Sequence, residues 1–470
     1  MWMDVFLDPD RPRRTTVALY DQIRVAVAEG RLRSGERLPT SRWLADDLGV
    51  SRSTITTVYG RLTAEGILTA RVGDGTYVAD QAFGHTSPTL EPTTRGLVRR
   101  PPVAAPSGRR VPAGAIDLRA GRPDPSLFPL AAWRRAVKQA TEQPPPGYGQ
   151  PAGLEELRSA IASWVGRTRG LAADPEQILV TAGAQQAFDL CAQLLVADGD
   201  TVAFEDPAYE PARRAFVGRG ANIQPAAVDR DGITVEEIAG DARVVFVTPS
   251  HQFPTGATLS AERRRVLLES AHRQRAVVVE DDYDTEYRYV DRPLEPLHRL
   301  DPHGQVVYVG TFSKTLTPSL RIGFVVAPHE LIAGLVSARQ ASDGQPPHLT
   351  QAALTHLIVT GDLDRHVRRT RTRFAGRHEV VRRRIDELHR DGRIAAPWPS
   401  NAGLHSMIEL HAGTDAARLC DELAARGVIA DTADDSWYGD PAPALVIGFG
   451  LADEPQLEGA FSVLAELLRP

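Results

Sequence analysis

Lysine is nearly absent from this sequence, and each one is therefore a candidate for chemistry. Of 54 basic residues, Lys138 and Lys314 are the two lysines and the rest are arginine. An arginine keeps its proton, whereas a lysine amine shielded from water can give it up and act as a nucleophile. Lys314 lies in GTFSKTLTPSLRIG, directly after the apolar run VVYVGTF, while Lys138 in AAWRRAVKQATEQ has the setting of an exposed helix residue. A second apolar run, VVVEDDYDTEYRY, ends in Asp281, Asp282 and Tyr283. Acids at strand ends often cap helices, but a carboxylate here can also pair with a protonated ring nitrogen, and a tyrosine can bond a ring oxygen. In VTAGAQQAFDL, Gly183, Ala184 and Gln185 open a helix after a strand, so that free amides and the helix dipole face an anion. Thr311, Ser313 and Arg321 can complete that cup. An amine, a carboxylate, a ring-oxygen partner and a phosphate cup are the parts that a pyridoxal phosphate site requires.

Residues so far apart need a scaffold that brings strand ends together. The runs ILVTAG, TVAFEDP, VVFVTPS, AVVVEDDY and VVYVGTF alternate with helical stretches, which predicts an α/β domain with a mostly parallel sheet over residues 115–470. In such folds ligand chemistry collects at the carboxyl ends of the strands, where Asp281 and Lys314 fall. Residues from roughly 360 onward read as a smaller C-terminal subdomain. Its arginine-dense stretch HVRRTRTRFAGRHEVVRRR reads as a long solvated helix whose stems cover apolar surface.

The first 80 residues have a different pattern. Val17, Leu19, Tyr20, Ile23, Val27 and Ala28 recur at helical spacing, and Gly30 ends that helix. SRWLADDLGV and SRSTITTVYGRLTAEGIL give two short helices parted by Gly49 and Val50, with Ser51 as N-cap of the second. Residues 67–79 alternate apolar and polar around Gly73-Asp74-Gly75, as a hairpin wing does. A helix-turn-helix of this kind offers the start of its second helix to the DNA major groove. Residues 81–114 hold six prolines and few large apolar side chains, and read as a linker.

Charge tempers the DNA reading. Residues 1–80 balance eleven arginines against eleven acids, residues 81–114 carry +4, and the whole-chain value of −6 leaves −10 on residues 115–470. Double-stranded DNA must then be held by locally placed arginines rather than by a basic domain. Hydrophobic residues make up 42 % and charged residues 24 % of the 470, with no apolar run of about 18 to span a bilayer. An N-terminus of acids and prolines lacks the core of a signal peptide, so the expected location is the cytoplasm. Cys191 and Cys420 lack metal-ligand spacing and are expected to be buried packing residues.

The stretch LPTSRWLADDLGVSRSTITTVYGRLTAEGIL followed by RVGDGTYV resembles the GntR family of winged-helix regulators. That resemblance implies DNA contacts from Arg42, Ser51, Arg52, Ser53, Thr56 and Gly73. From about residue 116 the chain is similar to fold-type I aminotransferases, and the two parts together resemble the MocR family of transcription regulators. The resemblance implies that Lys314 forms a Schiff base with pyridoxal phosphate, Asp281 pairs with the ring nitrogen and Tyr283 bonds the ring oxygen. It further implies that Tyr209 stacks on the ring, that Thr311, Ser313 and Arg321 hold phosphate, and that Tyr148 in GYGQPAG reaches the neighbouring subunit of a homodimer. Tyr209 and Tyr148 have plain packing as their alternative.

Two positions depart from the enzyme pattern. Aminotransferases carry an asparagine just before Pro-Thr-Gly, where HQFPTG has Phe253, and an arginine near the C-terminus that clamps the substrate carboxylate, where ALVIGFG has Val446. Arg122 in AGRPD is a candidate substitute for that clamp. The expected function is a regulator whose aminotransferase-like domain senses an amine, an amino acid or pyridoxal phosphate itself, the last connecting it to vitamin B6 metabolism. An active aminotransferase carrying a DNA-binding domain is the enzyme alternative, with residual half-reactions as the lesser form. A large domain kept for dimerisation alone is the third.

Overall fold

A computed structural model describes residues 15–71, 73–80, 111–144, 146–289, 295–399 and 401–468. The chain divides into two compact units, Met1–Ala104 and Ala105–Pro470, and the division falls inside the segment read as a linker, of which residues 81–110 lie outside the described residues.

The first unit is three helices and a hairpin. Helix α1 (Thr15–Ala28) packs on α3 (Arg52–Ala64), and α2 (Ser41–Leu48) precedes α3 across a tight turn. The buried stripe of α1 is Leu19, Tyr20, Ile23, Ala26 and Val27. Val17 and Ala28 are exposed instead, and Ala26 takes the core place, because the true stripe steps by three and four from Leu19. Thr40 caps α2 by accepting from the Trp43 amide, and Gly49 ends it in the left-handed conformation at φ 63°. Ser51 then caps α3 by accepting from the Thr54 amide. Strands β1 (Leu68–Arg71) and β2 (Gly75–Val78) pair antiparallel from Leu68↔Val78 to Arg71↔Gly75.

The second unit is built on an eight-stranded sheet. Its strands are β4 (Ile178–Thr181), β5 (Thr201–Asp206), β6 (Asn222–Asp229), β7 (Gly232–Ile233), β8 (Val244–Val247), β9 (Val277–Asp282), β10 (Val306–Thr311) and β11 (Gly323–Val326), following a short β3 (Ile116–Asp117) that belongs to the other end of the unit. They lie in the order β4-β11-β10-β9-β8-β5-β6-β7. Five neighbours from β10 to β6 run parallel, while β11 is antiparallel to both β10 and β4, and β7 is antiparallel to β6. Strands β4, β8, β10 and β11 are buried at every residue, as expected of a sheet covered on both faces by helices. One face packs Trp164, Phe312 and Phe324 with helices Leu130–Ala140, Glu155–Arg169 and His348–Val359. The other packs Phe188, Phe204, Phe216 and Phe246, with Cys191 buried among them.

Helix Asp362–Arg390, 29 residues long, leads to the C-terminal subdomain. Its Phe374, Val381, Ile385 and Leu388 enter that subdomain's core, and many of its arginines pair with acids on its own surface or on the last helix. There β12 (Ala396–Pro397), β13 (His405–Glu409), β15 (Asp431–Thr432) and β16 (Ala444–Gly448) form an antiparallel sheet in the order β12-β13-β16-β15. The remaining strand, β14 (Val428–Ile429), pairs parallel with β3 and ties the beginning of the unit to its end. Cys420 is buried in this core. Among the described residues no helix is long and apolar enough to cross a membrane.

Candidate functional site

The carboxyl ends of β9 and β10 open into a cavity of about 230 Å³. Asp281 is the next-to-last residue of β9, Thr311 ends β10, and Lys314 follows three residues later. Gly183 begins helix Ala184–Leu195 just beyond β4, and the His405 end of β13 closes the space from the small subdomain. Ala184, Gln185, Tyr209, Asp281, Tyr283, Thr311, Ser313, Lys314 and Arg321, all expected from sequence, line this one space.

The electrostatics are those of a site awaiting a charged partner. Asp281 is 4 % exposed, and its Oδ1 has no hydrogen-bond partner among the described residues. Burial, followed by the neighbouring Asp282 carboxylate, pushes its carboxyl well above the ordinary range, while Lys314 pulls it back. An orphaned buried carboxylate oxygen is costly and calls for a cationic donor. Lys314 Nζ donates to the Gly121 carbonyl at 2.8 Å. Burial lowers the amine below its usual value, against the pull of Asp284 and Asp281. Lys138, by contrast, is exposed on its helix.

Opposite the acid lies the anion cup. Gly183 has φ 86°, and a Cβ there would meet the Arg321 guanidinium at 3.2 Å, so that glycine lets arginine and helix start share the space. Arg321 itself adopts the left-handed region at φ 49° and donates to the Ala182 carbonyl at 2.6 Å. Thr311 Oγ1 donates to Ser313 Oγ at 2.9 Å and accepts from the Ser313 amide. Hydroxyls, helix amides and a guanidinium thus converge beside an amine and an unpaired carboxylate. These residues fit pyridoxal phosphate: Asp281 suits its ring nitrogen, the cup its phosphate, and Lys314 its aldehyde carbon.

Tyr209 half-buries its ring in the cavity wall and meets Phe253 edge to face, with centroids 5.4 Å apart. Tyr283 donates its hydroxyl to the His251 carbonyl at 2.9 Å. Tyr148 is fully exposed and is absent from its own chain's cavity lining. Arg122, the suggested clamp, is also outside that lining and lies 3.7 Å from Asp117. Val446 is buried with Met407, Ala433 and Ala444 in the small sheet. Among the described residues the one guanidinium that lines the cavity is Arg321. Sequence reading passed over Gly121, Pro318, His251, Asp284 and His405. Gly121 was legible in the AGRPD turn, whereas the two histidines and Asp284 meet only through tertiary folding.

On the first unit, Arg42, Ser51, Arg52, Ser53 and Thr56 are all exposed, clustered at α2 and the start of α3. Arg52 Nε reaches Ser41 Oγ at 3.4 Å, which braces α3 against α2. Thr56 donates its hydroxyl to the Arg52 carbonyl, which leaves its oxygen free to accept, whereas Ser51 Oγ accepts from the Thr54 amide as the cap and lies within hydrogen-bond distance of the Ser53 and Thr54 hydroxyls. Gly73 turns the wing at φ 78° with open space around its α-carbon. Arg37 braces the wing from beneath by donating to the Asp74 carbonyl. Exposed side chains at the start of a helix following a tight turn, next to a two-stranded wing, form a surface that can enter a major groove.

Comparison with known proteins agrees with both geometries. Residues 114–433 match the family "Aminotransferase class I and II", and residues 15–78 match "Bacterial regulatory proteins, gntR family". A probable rhizopine catabolism regulatory protein, MocR of Rhizobium meliloti, is 39 % identical over 77 % of this chain and 75 % of its own. The pyridoxine biosynthesis transcriptional regulator PdxR of Corynebacterium glutamicum is 33 % identical over 99 % of this chain and 98 % of its own. Among solved structures, Pyrococcus horikoshii kynurenine aminotransferase superposes with a TM-score of 0.70 at 27 % identity, over 75 % of this chain and 90 % of that one. With a winged helix-turn-helix of the GntR type at one end and an aminotransferase fold at the other, the chain belongs to the MocR family of transcription regulators.

Proposed function

We propose that this protein is a cytoplasmic, homodimeric regulator that binds an operator in double-stranded DNA through its first unit and pyridoxal phosphate through its second. The observation that carries the cofactor half is the buried Asp281 oxygen without a partner, facing the same cavity as Lys314. When bound, the cofactor supplies a protonated ring that withdraws electrons from whatever is joined to it. Asp281 would hold the ring-nitrogen proton, and Tyr209 would cover one ring face. Thr311, Ser313, Arg321 and the Ala184 and Gln185 end of the helix would take the phosphate. Tyr148 would serve the partner subunit's site. Arg42, Ser51, Arg52, Ser53, Thr56 and Gly73 would form the DNA surface.

The effector that suits this cavity best is pyridoxal phosphate itself. Among the described residues, a space of about 230 Å³ with its guanidinium already in the phosphate cup has no second arginine in its lining for a substrate carboxylate. The similarity to a pyridoxine biosynthesis regulator along nearly the whole length supports a role in vitamin B6 metabolism. An amine or amino acid joining the bound cofactor is the second reading, favoured by the greater identity to a catabolic regulator. Residual aminotransferase half-reactions are compatible with the retained Lys314, Asp281 and Tyr283. In every version the effector must bind one conformation of the regulator more tightly than another. The test is to select bound duplexes from a random-sequence pool, then titrate them with and without pyridoxal phosphate and a panel of amines. Unchanged duplex affinity with pyridoxal phosphate would eliminate the vitamin-sensing reading, and a response confined to an amine would favour the second.

A further inference from the structure

Phe253 removes the asparagine that aminotransferases place before Pro-Thr-Gly to bond the cofactor's ring oxygen, yet the structure puts another polar group against Tyr283, which faces the same cavity. His251, two residues earlier, is 2 % exposed, and its Nδ1 lies 3.1 Å from the Tyr283 hydroxyl and 3.1 and 3.2 Å from the two Asp284 carboxylate oxygens. A carboxylate at Nδ1 fixes the imidazole proton on that nitrogen. Tyr283 donates its own proton to the His251 carbonyl at 2.9 Å. The Tyr283 oxygen accepts from the Nδ1 proton that it shares with Asp284, and its own hydroxyl proton can turn from the His251 carbonyl to a ring oxygen in the cavity that Tyr283 lines.

The arrangement is tightly built. Gly403 has φ 76°, and a Cβ there would lie 2.1 Å from the His251 ring and 2.4 Å from Asp284 Oδ2, so no side chain can stand at that position without moving the pair. His405 packs its ring against His251, with centroids 4.7 Å apart. Three possible metal donors, His251, Asp284 and His405, come within 4.8 Å of one another, but His251 Nδ1 is already shared between Asp284 and Tyr283.

We propose that His251 and Asp284 act as a positioning pair that stands in for the missing asparagine, passing a hydrogen bond to the cofactor's ring oxygen through Tyr283. The inference rests on pyridoxal phosphate binding in this cavity. The charged and titratable groups that face Tyr283 are Asp281, Asp282 and Asp284 from its own segment and Glu205 from β5. Lys314, from beyond β10, and His405, from β13, share the cavity wall with it. All of these stay in place in the variants below.

The experiment follows the visible absorbance of the full-length protein loaded with pyridoxal phosphate as a function of pH. Removing the Nδ1 donor makes the Tyr283 hydroxyl a weaker donor to the ring oxygen, which favours a protonated ring oxygen and raises the pH of the transition. His251→Ala is expected to raise it by about one pH unit, the size of one hydrogen bond to a charged form. Phe253→Asn in the His251→Ala background, by restoring a direct donor, is expected to bring it back toward the parent. Far-ultraviolet circular dichroism separates these shifts from unfolding, and His251→Gln, which keeps a donor, serves as the milder variant if alanine does not fold. Variants that bind cofactor but titrate as the parent does would overturn the proposal while leaving the cofactor reading intact. A parent protein that never acquires a visible band would overturn both. Stoichiometric zinc in the purified protein, lost in His251→Ala, would also overturn it, because the cluster would then be a metal site.

Discussion

The two units place their candidate functional side chains in opposite ways. In the first, Ser51, Arg52, Ser53 and Thr56 are near-consecutive, exposed and held by one helix cap. In the second, Lys314, Asp281 and Gly183 come from three strand ends, and His405 joins them from a separate subdomain. A nucleic-acid surface has to meet a ligand larger than itself, so it must lie outside the core. A cofactor cavity has to exclude water, so its charged groups are carried at the cost of desolvation, which appears as the raised Asp281 carboxyl and the lowered Lys314 amine. The first kind of site tolerates loss of one member by degrees; the second depends on each.

That contrast can be broken at its strongest point first. Lys314→Ala is expected to abolish covalent retention of pyridoxal phosphate and its visible absorbance entirely, with the first unit still folded; absorbance and gel filtration after cofactor loading check it. A retained band would place the covalent chemistry elsewhere. Asp281→Asn removes the charged partner of the ring nitrogen and should weaken cofactor affinity by about 10- to 100-fold, read by equilibrium dialysis. On the other unit, Arg52→Ala should cost about 1–3 kcal/mol of operator binding and relax preference at one base pair, with cofactor absorbance unchanged. Equal loss on every sequence would reassign Arg52 to a phosphate. The smallest effect is expected from Ser51→Ala, about 1 kcal/mol in the stability of α3 by thermal melting, with a parallel fall in operator affinity.

Much of this was legible before any coordinates. The scarcity of lysine singled out Lys314, and the turn residues Gly49 and Ser51 marked both ends of the helix-turn-helix gap. The motifs at β4, β9 and β10 could be recognised because each is a local strand-to-loop junction whose apolar run ends abruptly in polar residues. What was not legible depends on contacts across the fold. His251 and Asp284 lie 33 positions apart, and nothing in either segment signals the other. His405 reaches the cavity from β13 across the subdomain boundary. Arg122 was attractive by motif and turned out to lie beside Asp117, since a sequence pattern does not say which way a side chain turns. The α1 stripe shifted for a smaller reason: an alanine is apolar enough for a core and too small to stand out, so Ala26 was overlooked in favour of Val17.

The pair of lysines has a practical consequence. A protease specific for lysine finds one target on an exposed helix at Lys138 and a second in the cavity wall at Lys314, where the chain must open before it can be cut. In the cofactor-free protein the ratio of the two cleavages is an internal clock for opening of the second unit, with the exposed site correcting for protease activity. Any ligand that holds the cavity shut or caps the Lys314 amine will slow one band on a gel and leave the other alone, and the regulator thereby carries its own screening assay for ligands.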